Sequence, residues 1–221
     1  MNKYQEQDGA TAKQCLLFKR KKRELPDAER VLTLQRNLYR RAKQSRKNKF
    51  YVLYDKVFLL YILREAWVRV RRNNGSAGVD GMRIEDVELY GVDRCLEELR
   101  EDLRQQTYRP EAVKRKLIAK ANGKTRPLGI PTVRDRIAQT ACLLILEPIF
   151  EADFDESSYG FRPKRSSKGT IREIKEQLQQ GNRSVYDADL SQYFDIIPHA
   201  KLMIALKERI TDPRILRLIN K

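Results

Sequence analysis

"EAVKRKLIAKANGKTRPLGIP" runs from Glu111 to Pro131, and the pattern of the chain changes inside it. Upstream, apolar residues recur every three or four positions, the period of a helix. Within it, Glu111–Lys120 reads as a strand, Asn122-Gly123 is a hairpin turn pair, and Arg126–Ile130 reads as the returning strand. The expected unit is a β-hairpin with Lys120, Lys124 and Arg126 gathered at one end. A lysine-rich hairpin on a surface is common. Here Pro127-Leu128-Gly129-Ile130-Pro131 also stiffens its base, and a stiff base carrying cations suits a triphosphate, whose oxygens Lys and Arg neutralise.

The flanks supply helices. Residues 1–26 have poor periodicity and a "KRKKR" run (Lys19–Arg23), which reads as a flexible solvated tail or as an RNA contact. From Asp27, a residue able to cap, Val31, Leu34, Leu38 and Ala42 mark one helical face. A second helix is expected over Phe50–Arg72, with Val57, Leu60, Ile62 and Trp67 as its bulk. It stops at "NNGSAGVDG" (Asn73–Gly81), a loop by its glycines and asparagines. Another helix follows over Val92–Gln106. Beyond the hairpin come a long helix (Thr132–Asp153), a loop (Ser157–Ser167), a helix (Lys168–Gln180), a strand (Ser184–Leu190) and helices from His199. Helices, a hairpin, then alternating helix and strand give α+β as the fold class.

The chain carries 46 Lys+Arg against 30 Asp+Glu, a net charge of +16. Such an excess favours polyanions, RNA or DNA before an anionic membrane surface. Residues 1–50 hold 15 basic and 5 acidic side chains, and residues 101–150 hold 10 and 5. The apolar runs Val57–Leu63 and Ala141–Leu146 are far too short to cross a bilayer. No export signal opens the chain, so a cytoplasmic setting is expected. Cys15, Cys95 and Cys142 stand alone and His199 is the single histidine. That excludes a zinc cluster and gives no nucleophile elbow.

The acidic counterpart is "VYDADLSQYFDIIPH" (Val185–His199). On a strand Asp187 and Asp189 share a face. Strand interiors disfavour aspartate, so a pair there suggests a task, and Mg²⁺ suits carboxylates with waters and substrate phosphates. Asp195 sits at a turn, where capping backbone N–H groups serves equally well.

Taken in order, "NNGSAGVDG", "TYRP", "AKANGKTRPLGIPTVRDRIAQ", "LEPIFEADFDESSYGFRP" and "DADLSQYFDIIPH" resemble the reverse transcriptases (maturases) encoded by bacterial group II introns, from about Ala28 onward. The resemblance implies a right-hand polymerase: a helical N-terminal extension over 27–82 with its loop at 73–81, fingers over 83–180, and part of the palm over 181–221. It implies an RNA-directed DNA polymerase that also binds intron RNA as a maturase. The partners implied are group II intron RNA, an RNA template with a DNA primer, dNTP, no membrane, and a homodimer as one permitted state. Position by position, Asp189 resembles the catalytic, metal-binding aspartate, with the Leu190 carbonyl beside it. Lys120 and Arg126 resemble the grip on the triphosphate. Phe194 resembles the aromatic that excludes a ribose 2′-OH. Arg162, in "FRP", together with Gly75, Ser76 and Lys124, resembles contacts to template or RNA. Asp187 reads as a solvated neighbour. Ile118-Ala119-Lys120 departs from the family's Ile-Pro-Lys but keeps the cation.

Two-metal phosphoryl transfer needs further carboxylates. In this family they come from a Tyr-x-Asp-Asp turn downstream; "YDAD" (Tyr186–Asp189) is the nearest string here, with its aspartates misplaced. The chain by itself is therefore not expected to polymerise, and its Mg²⁺ site is expected to be incomplete. Two alternatives follow: a non-catalytic RNA-binding module, or an unstable remnant of a truncated intron protein.

Overall fold

The computed structural model describes residues 25–119, 123, 125–190 and 193–221. The basic tail, Lys120 and Lys124 lie outside them.

Helix α1 (Asp27–Gln44) buries Val31, Leu38 and Ala42, the face marked by the sequence. Asp27 does not cap it. It is the first helical residue, paired with Arg30 at 3.7 Å and Arg64 at 3.6 Å, where a carboxylate also meets the positive end of the helix dipole. The helix expected over Phe50–Arg72 is divided into α2 (Tyr54–Val57) and α3 (Leu60–Asn73). In one unbroken helix Val57 and Ile62 would stand about 140° apart. The extended turn at Leu59 lets both reach the core, where each is fully buried. Helix α3 ends on Asn74 in the left-handed conformation, which asparagine tolerates. Helices α4 (Ile84–Tyr90) and α5 (Val92–Arg104) follow; α5 buries Cys95, Leu96, Leu99 and Leu103.

The hairpin forms as read: β1 (Lys114–Ala119) and β2 (Thr125–Ile130) pair antiparallel, from Lys114 opposite Ile130 to Ala119 opposite Thr125. It is the sole sheet among the described residues and is exposed on nearly every position.

Helix α6 (Val133–Glu151) is the centre of the molecule, packed against α1, α2 and α3. Val133, Ile137, Ala141, Leu144, Ile145 and Ile149 are wholly buried along it. Pro148 lies inside this helix and cannot donate to the carbonyl of Leu144, four residues back. Gln35 of α1 supplies the missing donor, its Nε2 bonding that carbonyl at 2.9 Å.

Helices α7 (Ser167–Gln179), α8 (Tyr193–Ile196) and α9 (His199–Lys207) contain no buried residue among those described, and α10 (Pro213–Ile219) buries Ile215 and Leu216. The expected strand over Ser184–Leu190 is not formed. A strand needs a partner to satisfy its backbone, and the described residues offer none there. Residues 209–216 return to the helical body. Phe50 N–H donates to Arg209 O and Thr211 N–H to Phe50 O, both at 2.9 Å. The fully buried Asp212 carboxylate accepts from the N–H groups of Leu53 and Tyr54, each at 2.9 Å, and caps α10 through Arg214 N–H at 3.0 Å. Arg209 closes the end of α1: its guanidinium donates to the carbonyls of Ala42, Ser45 and Asn48 and pairs with Asp153 at 2.9 Å. The described residues form a mixed, helix-rich fold with one two-stranded sheet.

Candidate nucleic-acid interface

The loop at 73–81 and the hairpin converge on the first turn of α6. Thr132 caps that helix, its Oγ1 accepting from Asp135 N–H at 3.1 Å. The buried Asp135 carboxylate accepts from Tyr108 O–H at 2.6 Å, Thr132 O–H at 2.8 Å and Glu111 N–H at 3.0 Å. Burial, then the bond to Asp135, pushes the Tyr108 phenol well above its ordinary pKa and keeps it a donor. On either side, Arg134 pairs with Asp102 of α5, and Arg136 Nη2 donates to the Ser76 carbonyl at 2.7 Å.

The loop leaves no room for a side chain at Gly78, where a Cβ would stand 2.7 Å from the backbone of Thr132, so glycine is needed there for close approach. A Cβ on Gly75 would stand 2.5 Å from the Arg136 guanidinium and would displace the end of that side chain. Between this loop, the start of α4 and the hairpin lies an open cleft of about 530 Å³, lined by Gly75, Ser76, Arg83, Glu85, Lys114 and Lys116 among others. The register decides what else shares its wall. Residues paired directly across an antiparallel ladder share a face, and alternate residues do too. Lys114, Lys116 and Arg126 therefore stand on one face of the hairpin, Arg126 opposite Ile118. Such a wall of cations beside a glycine-containing backbone is chemically suited to phosphate.

The other expected residues are placed differently. Asp187 and Asp189 lie in the exposed stretch 182–190. Leu190, expected to lend its carbonyl beside Asp189, is 71% exposed. No group of three His, Cys, Asp or Glu able to hold a metal occurs among the described residues. A donor set for two Mg²⁺ ions is not assembled among the described residues. The side chain of Phe194 lies outside the described part. Arg162, expected to face template, is instead a clasp within its own loop. Its side chain is 5% exposed and bonds Glu151 through Nε and Nη2, the latter at 2.8 Å, and Nη1 reaches the carbonyls of Asp155 and Ser158 at 2.5 and 2.6 Å. The clasp presents its neighbour: Phe161 is completely exposed, at a positive φ of 55°.

Sequence reasoning passed over Arg83, Lys114, Lys116, Asp135 and Arg136. Strand alternation from the Asn-Gly turn would have aligned Lys114 and Lys116 with Arg126. Thr132 and Asp135 form a local Thr-x-x-Asp capping pattern, but nothing local marked the reach of Asp135 to Glu111 or of Arg136 to Ser76, 24 and 60 residues away.

A helical body thus carries a cationic hairpin face set against a glycine-containing loop. Residues 118–221 match the reverse transcriptase (RNA-dependent DNA polymerase) family. "Protein YkfC" of Escherichia coli (strain K12) is 48% identical over 130 residues, 57% of this chain and 34% of that protein. "Group II intron-encoded protein LtrA" of Lactococcus lactis subsp. cremoris is 35% identical over 150 residues, 67% of this chain and 25% of that one. An "uncharacterized 91 kDa protein in cob intron" of Schizosaccharomyces pombe is 30% identical over 190 residues, 86% of this chain and 21% of that one. Residues 118–221 thus carry the reverse transcriptase pattern, and of these relatives one is named as encoded by a group II intron and another as a protein in an intron. The chain spans 34% or less of the length of each.

Proposed function

We propose that this chain is the RNA-gripping, amino-terminal part of a group II intron reverse transcriptase and maturase. Residues 27–82 act as the extension, 83–180 as fingers and 181–221 as the beginning of the palm. The reading is carried by one arrangement: Lys114, Lys116 and Arg126 on a single hairpin face, with the first two lining a cleft shared with Gly75 and Ser76. The ligands are intron RNA and an RNA template with its DNA primer. An incoming dNTP engages Lys120 and Arg126, and Phe194 tests its ribose. Asp189 is the carboxylate that Mg²⁺ would use once further carboxylates join it; no chemical step is assigned to this chain alone.

A second reading, a non-catalytic RNA-binding module, is favoured by the same cleft together with the absence of a metal cluster among the described residues. Both require RNA binding dominated by phosphate contacts. A filter-binding titration against structured RNA tests it. Affinity should fall by orders of magnitude between about 50 and 200 mM salt if several phosphates are neutralised. A nearly flat salt dependence overturns both readings. They separate on Asp189→Ala, introduced in a polymerising protein that carries this segment: loss of cDNA synthesis with RNA binding kept supports the first, and retained synthesis removes Asp189 from the metal site.

A further inference from the structure

The triplet Arg134-Asp135-Arg136 opens α6, and each of its side chains fastens a different neighbour. Arg134 holds the end of α5 through Asp102, and Arg136 holds loop 73–81 through the Ser76 carbonyl. Asp135 holds the hairpin at both of its roots: Glu111 precedes β1 and Thr132 follows β2, and the same carboxylate oxygen accepts from both. Its other oxygen is bonded to Tyr108, the anchor of the segment leading into β1. A two-stranded hairpin is marginally stable alone, and this one is exposed on nearly every position, so its direction is set at its roots.

We propose that Asp135 is a positioning residue for the RNA phosphate backbone. It fixes the angle at which the face bearing Lys114, Lys116 and Arg126 stands opposite loop 73–81, while the neighbouring Arg136 fixes the loop. The inference rests on the RNA-binding reading of the cleft. It makes a prediction whose sign is opposite to that of simple electrostatics. Replacing a carboxylate by an amide makes an already basic chain more positive, which by long-range attraction alone tightens RNA binding. A positioning role predicts weaker binding, because asparagine offers one accepting oxygen where three donors from two directions must be met.

The experiment is a double-mutant cycle on the full chain, read by the anisotropy of a fluorescein-labelled structured RNA. Arg126→Ala should weaken binding on the order of three-fold and lower the slope of log affinity against log salt by about 1. Asp135→Asn should weaken it by a similar factor, and the double variant should lose little more than either, since both act through one hairpin. If Arg126→Ala changes nothing, the RNA reading of this face fails and the inference falls with it. If Arg126→Ala weakens binding but Asp135→Asn leaves it unchanged or tighter, or if the two losses multiply, the positioning role alone is overturned. Should Asp135→Asn fail to fold by circular dichroism, Tyr108→Phe, which removes one of the three donors, takes its place under the criteria of weakening and of non-multiplying losses. Hydrogen exchange gives an independent reading. The amides of 114–119 and of 125–130 other than Pro127 should exchange faster in the variant while those of α3 stay slow, and uniform acceleration overturns the role.

Discussion

Residues 27–153 and residues 154–208 obey the same chemistry with opposite results. The first region, joined by 209–216, closes a core: Leu63, Leu96, Leu99, Ile137, Leu144 and Ile145 are fully buried. The second has amphipathic sequence without a lid. Ile171, Ile174 and Leu178 recur at helical spacing along α7, yet each remains at least half exposed, and Val185, Tyr186 and Leu190 are more exposed still. Nothing among the described residues covers these apolar side chains. Among the described residues the first region has a core and the second presents a single apolar wall.

The contrast can be broken most directly at the seam. Arg209→Ala strips Asp153 and three carbonyls of their partner and should cost about 3–5 kcal/mol, measured by urea unfolding. A loss under about 1 kcal/mol would detach 209–216 from the body. Next, Leu99→Ala should cost about 2–5 kcal/mol and Ile174→Ala no more than about 0.5 kcal/mol. Equal costs would mean that α7 is packed in solution.

Asp212 sharpens the comparison through pH. Burial opposes its charge, but N–H donors from Tyr54, Leu53 and Arg214 prevail and hold its pKa below the ordinary aspartate value. A depressed folded pKa stabilises above the unfolded value of about 3.9, and that stability is lost as pH falls through the folded pKa. The body should therefore lose stability in acid below about pH 4, and Asp212→Asn should lower stability at neutral pH by about 1–3 kcal/mol while flattening that acid limb. The smallest effect belongs to the exposed loop. Phe161→Gly relieves a positive φ without uncovering anything buried, and thermal melting should show a change within about 1 kcal/mol, on the stabilising side.

What could be read in the sequence was what local physics decides. The Asn-Gly pair in the sequence pointed to the hairpin, and Val31, Leu38 and Ala42 gave α1 its face. The long apolar run after Thr132 gave α6. Misreadings occurred where distant atoms decide. The break at Leu59 carries no glycine or proline, and it exists because Val57 and Ile62 must meet one core. Residues 184–190 have strand composition but no described neighbour to pair with. Arg162 looks like an outward cation until Glu151 is placed beside it. Of the candidate site, the hairpin cations and the glycine loop were legible as separate motifs. Their meeting at Thr132-Asp135-Arg136 was not, because the contacts span 24 to 60 residues.

The capping of α1 by Arg209 has a consequence for how the chain is born. The Ser45 carbonyl waits for a guanidinium 164 residues away. At bacterial and eukaryotic synthesis rates of about 5–20 residues per second, that is roughly 10–30 s during which the first helix has emerged from the ribosome without its closing clamp. Nascent chains stalled before codon 209 should be protease-sensitive in α1, and chains released from the ribosome with residues 209–216 present should be protected there.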